Sequence, residues 1–324
     1  MTFPSIAVLD DYQEAALRFA DWSVLRGRAE IKVFTAHVGS IVDLARCLAP
    51  YEIVCPMRER TAFTRELMGR LPNLKLIVTT GMWNAAIDLD AAAALGIMVC
   101  GTGATLEPTV ELTWGLILSA LRNIPAELAA VRDGGWQISV GGDLYGRTLG
   151  IVGLGNIGRA VASIASAFGM RIIAWSPNMT SDVAAKSGAT RVDKESLFRD
   201  SDVVTIHLKL SERSRGIVGA AELGLMKREA ILINTSRGPL VDQTALMAAL
   251  AAGRIARAAV DVYDEEPLPV DHPLRDFKNL IATPHIGYVS RRMYEVFFRD
   301  TVEDILSWLD GHPIRVMNGS RESP

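Results

Sequence analysis

Short apolar runs alternate with helical stretches along nearly the whole chain, and this alternation limits the fold more than any other feature. "SIAVLD" (5–10), "IKVF" (31–34), "EIVCP" (52–56), "LKLIVTT" (74–80) and "IMVC" (97–100) each border an Ala/Leu-rich helical segment. A second series follows at "TLGIVG", "RIIAWS", "VVTIHL", "AILINTS", "RAAVDV" and "NLIATPH". Strands that are apolar throughout need cover on both faces, and intervening helices supply it in a parallel sheet. The expectation is an α/β protein of two doubly wound parallel-sheet domains. "GTGATLEP" (101–108) is turn-rich, and Pro108 suits the first turn of a helix, so the boundary is placed near Gly101. The last helical stretch, about Arg292 to Leu309, follows the second sheet and is expected to return to the first domain. That makes the first domain discontinuous, 1–100 plus 290–324, and the second 101–289.

Composition narrows the function classes. With 324 residues, 49% hydrophobic and 22% charged, the chain has enough apolar surface for two cores. A formal charge of -3 offers no basic surface, so no nucleic-acid partner is expected. The most apolar helical stretch, Leu112 to Leu121, is too short to cross a bilayer, so no membrane role is expected either. Cys47, Cys55 and Cys100 have no metal-type spacing; their odd number, and a start without an export pattern, fit a cytoplasmic protein without a metal.

"GLGNIG" (153–158) lies between a strand and a helix. Gly153 permits a tight turn, Gly155 lets the backbone approach a pyrophosphate, and Gly158 lets the helix sit close to the strand. With Asn156 and Ile157 they present the free N–H groups of a helix start to an anion. The reading is a dinucleotide cradle; a purely structural turn or another phosphate ligand are the alternatives. In such units an acidic residue about 20 positions on usually holds the adenosine ribose and repels a 2′-phosphate. Here that place falls to Ser176, in "WSPNMTSD". Serine leaves NADP unopposed, yet the stretch supplies no arginine or lysine, so both NAD and NADP are expected, with a lean to NAD.

Three further side chains stand just beyond strand ends, where ligands of open α/β sheets gather. They are Arg237 in "ILINTSRGPLVD", Glu266 in "AAVDVYDEEP" and His285 in "LIATPHIG". Each alone has an ordinary explanation as a solvated arginine, a turn glutamate or a structural histidine. Together they suit the reduction of a 2-keto acid.

The motifs "GLGNIG", "INTSRGPLVD", "DVYDEEPL" and "TPHIG", in this order, resemble those of the D-isomer-specific 2-hydroxyacid dehydrogenase family over nearly the whole chain. The resemblance implies two Rossmann-like domains, of which the first, flavodoxin-like one binds substrate. It implies that Arg237 grips the substrate carboxylate and keto oxygen, and that His285 and Glu266 form the acid/base pair. Asp261 would meet the nicotinamide carboxamide, Thr235 the cofactor through its backbone, and Gly287 would belong to the same site. His207 matches a cofactor-site histidine, although Lys209 stands where the family often has proline. "TTGMWNAAIDLD" resembles the loop whose amides hold the substrate carboxylate, near Gly81 and Met82.

Several alternatives stay open. A dinucleotide-sensing corepressor of the same fold is the rival from another class, and Glu266 argues against a formate dehydrogenase, which has glutamine there. "MRERT" (57–61) resembles the phosphate-binding loop of phosphoglycerate dehydrogenases, with Arg58 and Arg60 as candidates, but a solvated surface loop is the favoured reading. A homodimer is expected from the resemblance and from the apolar helix containing Trp114, Leu116, Ile117, Leu118 and Leu121.

Overall fold

A computed structural model gives the fold and describes residues 3–319. Residues 1–2 and 320–324, the outer ends of the expected first domain, lie outside the described residues. The chain divides into two compact units, one comprising the chain through Thr105 together with the segment from Val289, the other Leu106–Tyr288. The division thus falls a few residues beyond Gly101 at the first crossing.

The first unit is a five-stranded sheet of β1 (Ser5–Val8), β2 (Glu30–Val33), β3 (Ile53–Cys55), β4 (Leu76–Thr79) and β5 (Met98–Gly101), with helices α1 (Ile41–Leu48), α2 (Arg65–Gly69) and α3 (Leu89–Ala94). The strand order is β2-β1-β3-β4-β5, all parallel. Helix starts follow from sequence: Ser40, Thr64 and Asp88 each accept a backbone N–H three residues on. β3 and β4 are buried at every position, as continuous apolar runs require.

The second unit carries seven parallel strands in the order β12-β11-β10-β9-β6-β7-β8. Two helices open it, α4 (Glu107–Leu121) and α5 (Ile124–Arg132). Then β6 (Thr148–Val152), α6 (Asn156–Ala167), β7 (Arg171–Trp175), α7 (Ser181–Ala185), β8 (Thr190–Arg191), α8 (Lys194–Asp200) and β9 (Val203–Ile206) follow. The remainder is α9 (Ala220–Leu225), β10 (Ile231–Asn234), α10 (Gln243–Ala251), β11 (Arg257–Val260) and β12 (Leu280–Ala282). Side chains alternate between two cores across this sheet. Leu149, Ile151, Val203, Ile231 and Ile233 pack with α4 and α6, while Val152, Val204, Ile206, Leu232 and Val260 pack on the opposite face. Six strands are legible in the sequence; the seventh, β8, is two residues long and carries no pattern. Among the described residues no helix is long and apolar enough to cross a membrane.

α4 corrects one expectation. Of the five residues named, Trp114, Leu116, Ile117 and Leu121 are buried within their own unit, against the sheet and α6, and are not available to a second chain, while Leu118 is half-buried against the same core.

The long helix α11 (Arg291–Leu309) belongs to the first unit and packs on β4 and β5. Beyond it the chain turns back along the free edge of β5. Gly101 N–H donates to the Arg315 carbonyl, Met317 N–H to the Val99 carbonyl, and the Asn318 amide clasps Val99 and Ile97. The strand edge is thereby covered. Arg315 ties this strap to α11 through Asp304 Oδ1 (2.9 Å), Glu303 and the Asp300 carbonyl. Asp304 is fully buried, its Oδ2 has no hydrogen-bond partner, and burial pushes its carboxyl up to about 7. Asp300 and Glu303 add to that push, Arg315 opposes it, and the Cys55 and Cys100 thiols face it from β3 and β5. A carboxyl raised in the folded state contributes stability that is complete below its ordinary value and is lost as pH climbs through the folded value. Asp304→Asn should therefore gain thermal stability relative to the parent as pH rises from about 4 to about 7. A melting-temperature difference that does not change over this range would show that Asp304 does not titrate so.

Candidate active site

The carboxyl ends of the seven-stranded sheet bring together most of the residues singled out in the second unit. Its strand order reverses between β6 and β9, the switch point where open α/β sheets bind ligands. Gly153 leaves β6 with φ +99, and a Cβ there would lie 2.7 Å from the His207 carbonyl oxygen at the end of β9. Gly158 is as confined, with Gly153 O 2.2 Å from the place of a Cβ, while nothing lies within 4 Å of that place at Gly155. The turn is therefore closed towards the sheet and open in front. α6 begins at Asn156 without a side-chain cap and without an acid in its first turn, which leaves its first N–H groups and positive dipole end to an anion.

His207 adds a second observation that bears on the fit of a dinucleotide. Burial pushes its imidazole down to about 3, so the ring is neutral at physiological pH. One ring nitrogen meets Thr205 Oγ1 at 3.0 Å, and the other, Nδ1, is buried without a partner. The open glycine turn and this orphaned nitrogen fit a dinucleotide at the switch point. Ser176, beyond β7, accepts the Leu154 N–H at 3.2 Å and so is tied to the glycine turn itself. Arg171 bonds Thr148 at the amino ends of β7 and β6, the end of the sheet away from this turn. Arg191 donates to the Met179 carbonyl, in the stretch that follows Ser176.

Three loops at the ends of β10, β11 and β12 carry the charged set. After β10, Asn234 bonds the Ser236 N–H and the Arg237 carbonyl, and Ser236 Oγ reaches the Ile206 carbonyl. Thr235 is buried here, and Arg237 stands half-buried in extended backbone with Nη1 on the Ser236 carbonyl. Gly238 has no room for a side chain, since a Cβ would lie 2.1 Å from the Tyr263 carbonyl group, so the first loop rests on the backbone of the second. In that second loop the Tyr263 N–H holds Glu266 Oε1, and the Tyr263 hydroxyl donates to the Thr283 carbonyl of the third.

The third loop presents His285 with φ +52, a left-handed conformation a non-glycine residue adopts only under constraint. Asp261, at the end of β11, supplies that constraint. Its Oδ1 accepts the Thr283 hydroxyl and the Ile286 N–H, and its Oδ2 accepts the Gly287 N–H. Burial raises the Asp261 carboxyl above the usual range, against these donors, which favour its charged form. His285 Nδ1 and Glu266 Oε2 lie 2.6 Å apart, which leaves Nε2 as the ring nitrogen facing away from the carboxylate. The pair can hold and pass one proton at Nε2 while Glu266 fixes the ring and its tautomer. Tyr288 packs edge-on against the imidazole at 5.4 Å.

Asp261 as the anchor of the His285 loop, and Tyr263 as the link between loops, were not legible beforehand. The only trace in the sequence is a polar and an aromatic residue just after an apolar strand.

Gly81 and Met82 lie in the first unit. The Gly81 N–H donates to Thr102 Oγ1 at 2.8 Å, and Met82 is exposed. The neighbouring "MRERT" segment is not the solvated surface loop expected. Met57 and Thr61 are buried, and Arg58 and Glu59 are mostly covered. Arg58 donates from its guanidinium and its backbone to Thr80, and Arg60 donates to the Asp10 carbonyl and stacks over Tyr12 at 4.4 Å. Glu59 Oε2 stands 3.6 Å from Arg58 Nε. The cause is Asp10, buried at the end of β1, whose carboxylate takes Thr61 Oγ1 at 2.6 Å and draws the segment inward. Among the described residues no group of three or more His, Cys, Asp or Glu could hold a metal ion.

Comparison with known proteins shows what the chain is similar to. Residues 114–287 match the sequence model described as "D-isomer specific 2-hydroxyacid dehydrogenase, NAD binding domain". The chain is 40% identical over 256 residues to a glyoxylate reductase of Aeropyrum pernix, an alignment covering 76% of each protein. It is 41% identical over 238 residues to a D-3-phosphoglycerate dehydrogenase of Methanocaldococcus jannaschii, covering 72% of this chain but only 45% of that protein. Among solved structures, a phosphoglycerate oxidoreductase from Vibrio cholerae superposes with a TM-score of 0.91 at 36% identity, over 95% of this chain and 100% of the other.

Proposed function

The chain belongs to the D-isomer-specific 2-hydroxyacid dehydrogenase family, and from that premise we propose that it reduces a small, unphosphorylated 2-keto acid to the D-2-hydroxy acid. It is a nicotinamide-dependent oxidoreductase of this family. The observation that carries the proposal is the 2.6 Å contact between His285 and Glu266 on a histidine held left-handed by Asp261. A bound reduced nicotinamide would supply the hydride, and Gly153, Gly155, Asn156, Ile157, Gly158, Ser176, His207, Thr235, Asp261 and Gly287 are the residues that would hold the dinucleotide. Arg237 offers the planar, bidentate donor set that orients a carboxylate and keto oxygen and stabilises negative charge developing on that oxygen. His285 Nε2 delivers the proton to the same oxygen, and Glu266 stabilises the imidazolium before transfer; oxidation runs the steps in reverse.

The unphosphorylated class rests on Arg58 and Arg60. Both guanidiniums already serve backbone carbonyls of their own unit, and Glu59 sets a negative charge beside Arg58. A dinucleotide-sensing protein without turnover is the less favoured reading, and a panel of glyoxylate, hydroxypyruvate, phosphohydroxypyruvate and bulkier keto acids separates the two. In that panel His285→Ala should lose about 100- to 10,000-fold in turnover while still binding cofactor. Arg237→Lys should lose most of its catalytic efficiency, because charge survives and the fork does not. Near-native turnover of either purified variant removes that residue from its proposed role.

For the cofactor we propose use of both NADH and NADPH, with NADH somewhat favoured. Ser176 brings no negative charge to repel a 2′-phosphate. Of the basic residues near β7 in the chain, Arg171 sits at the far end of its strand and Arg191 bonds a carbonyl. Ser176→Asp should suppress NADPH use and spare NADH. A preference of the parent enzyme above about 100-fold either way, ~2.7 kcal/mol, would mean that another residue decides.

A homodimer is proposed on a different surface from α4. α5 buries none of its residues and exposes Ile124, Leu128 and Val131 on one stripe. The irregular segment after it exposes Trp136 (76%), Ile138 and Val140 (100%) at alternate positions, and Tyr145 follows at 84%. Ser139 Oγ and Ile138 N–H fasten this segment to Glu127 of α5. With Ile164 and Phe168 these side chains expose on the order of 1,000 Å² of apolar surface, against roughly 800 Å² per partner in a standard stable interface. A helical stripe and an exposed apolar arm on one chain suit a two-fold exchange of arms. Light scattering should give a dimer mass at micromolar concentration and a monomer for Trp136→Glu/Val140→Lys. A monomeric parent ends the idea.

A further inference from the structure

Two threonines one turn apart on α4 reach the loops that carry Arg237 and His285. Thr113 is fully buried, and its hydroxyl donates to the Thr109 carbonyl at 2.7 Å. With its single proton spent there, it meets Thr235 Oγ1 at 2.8 Å as an acceptor, so the Thr235 hydroxyl is the donor of that bond. The Thr109 hydroxyl donates to the Gly287 carbonyl at 3.0 Å. One bond thus lands two residues before Arg237 and the other two residues after His285. The rest of the buried face of α4 is Pro108, Val110, Trp114, Leu116, Ile117, Ala120 and Leu121, which holds the helix on the sheet without help from either hydroxyl.

We propose that Thr109 and Thr113 are positioning residues for the reaction, with α4 as a rigid bracket setting the Arg237 and His285 loops at a fixed separation. These loops leave β10 and β12, with β11 between them in the sheet, so chain continuity fixes neither relative to the other. Asp261 holds the His285 loop through N–H groups, including that of Gly287, and Thr109 takes the carbonyl of the same residue. The loop end is thereby held from two sides. A Cβ on Gly287 would lie 3.1 Å from Asp261 Oδ2 and 3.6 Å from Thr109 Oγ1, so the gap between these two anchors is closed. The inference rests on the roles proposed above for Arg237 and His285. It extends them to two α4 residues whose hydroxyls bond the loops rather than the charged side chains.

The test uses Thr113→Val, Thr109→Val and the corresponding serine variants of the full chain. Valine keeps the volume and removes the hydroxyl; serine keeps the hydroxyl. A misplacement of about 1 Å costs up to ~100-fold, so each valine variant should lose about 10- to 100-fold in kcat with its best keto acid. The loss should fall more on kcat than on KM for the reduced cofactor, and the serine variants should return to within about threefold of the parent. Amide hydrogen exchange of the cofactor-free protein, read on residues 234–238 and 283–288, should quicken in the valine variants and stay at the parent rate in the serine ones. Exchange needs no turnover, so a parent protein that reduces no keto acid overturns the proposed activity while the bracket is still judged by its loops. Valine variants with parental kcat and exchange, or serine variants that fail to restore them, overturn the bracket. Thr109 is only half-buried, so its variants serve if Thr113→Val does not fold.

Discussion

The Asp261 carboxylate is the point on which the arrangement of the site turns. It sits at the end of β11 with no exposed surface and takes three donors, one side chain and two backbone N–H groups, all from residues 283–287. Those bonds offset both the cost of burying a carboxylate and the cost of holding His285 left-handed. Once the loop is so folded, the His285 ring points at Glu266, whose other oxygen is taken by the Tyr263 backbone. The His285–Glu266 contact is therefore the consequence of a hydrogen-bond arrangement one strand away from the histidine.

The same principle runs through the glycines. Gly238 lies against the Tyr263 carbonyl and Gly153 against that of His207, contacts that a single methyl group would break. Glycine at these places fixes how closely one loop approaches the next. At Gly155, by contrast, the space is open, and that is the face an anion would occupy. Sheet topology supplies the rest. The reversal between β6 and β9 puts the glycine turn beside His207, and the neighbouring strands deliver the charged loops to the same end of the sheet.

Two surfaces were read differently from sequence and from structure, for one reason. The helix containing Trp114 and Leu116 is apolar enough to serve a subunit interface, but its own sheet and α6 cover it. The arm around Trp136 and Val140 has less apolar density along the chain, yet nothing in its own unit covers it. The Arg58 segment reverses in the same manner. Its charges suggest a solvated loop, and the buried Asp10 carboxylate instead draws Thr61 inward and turns the segment onto its own unit.

By itself the sequence determined the doubly wound architecture, the phosphate-type turn and the positions of Arg237, Glu266 and His285, because these depend on neighbours close in the chain. An apolar strand, a glycine turn and a polar residue at a strand end are written within a dozen residues of each other. It did not show β8, which is too short for a pattern. It showed Asp261 without its role, and gave no sign of Tyr263, Thr109 or Thr113 as the residues that hold the loops. Their partners are remote: Asp261 bonds a residue 26 positions on, and Thr113 one 122 positions on. Only the packing of strands and helices brings such groups within 3 Å. What the hydroxyls and carboxylates of this chain hold in place was therefore decided by the tertiary structure, since a hydrogen bond acts at contact range and the sequence records no distance.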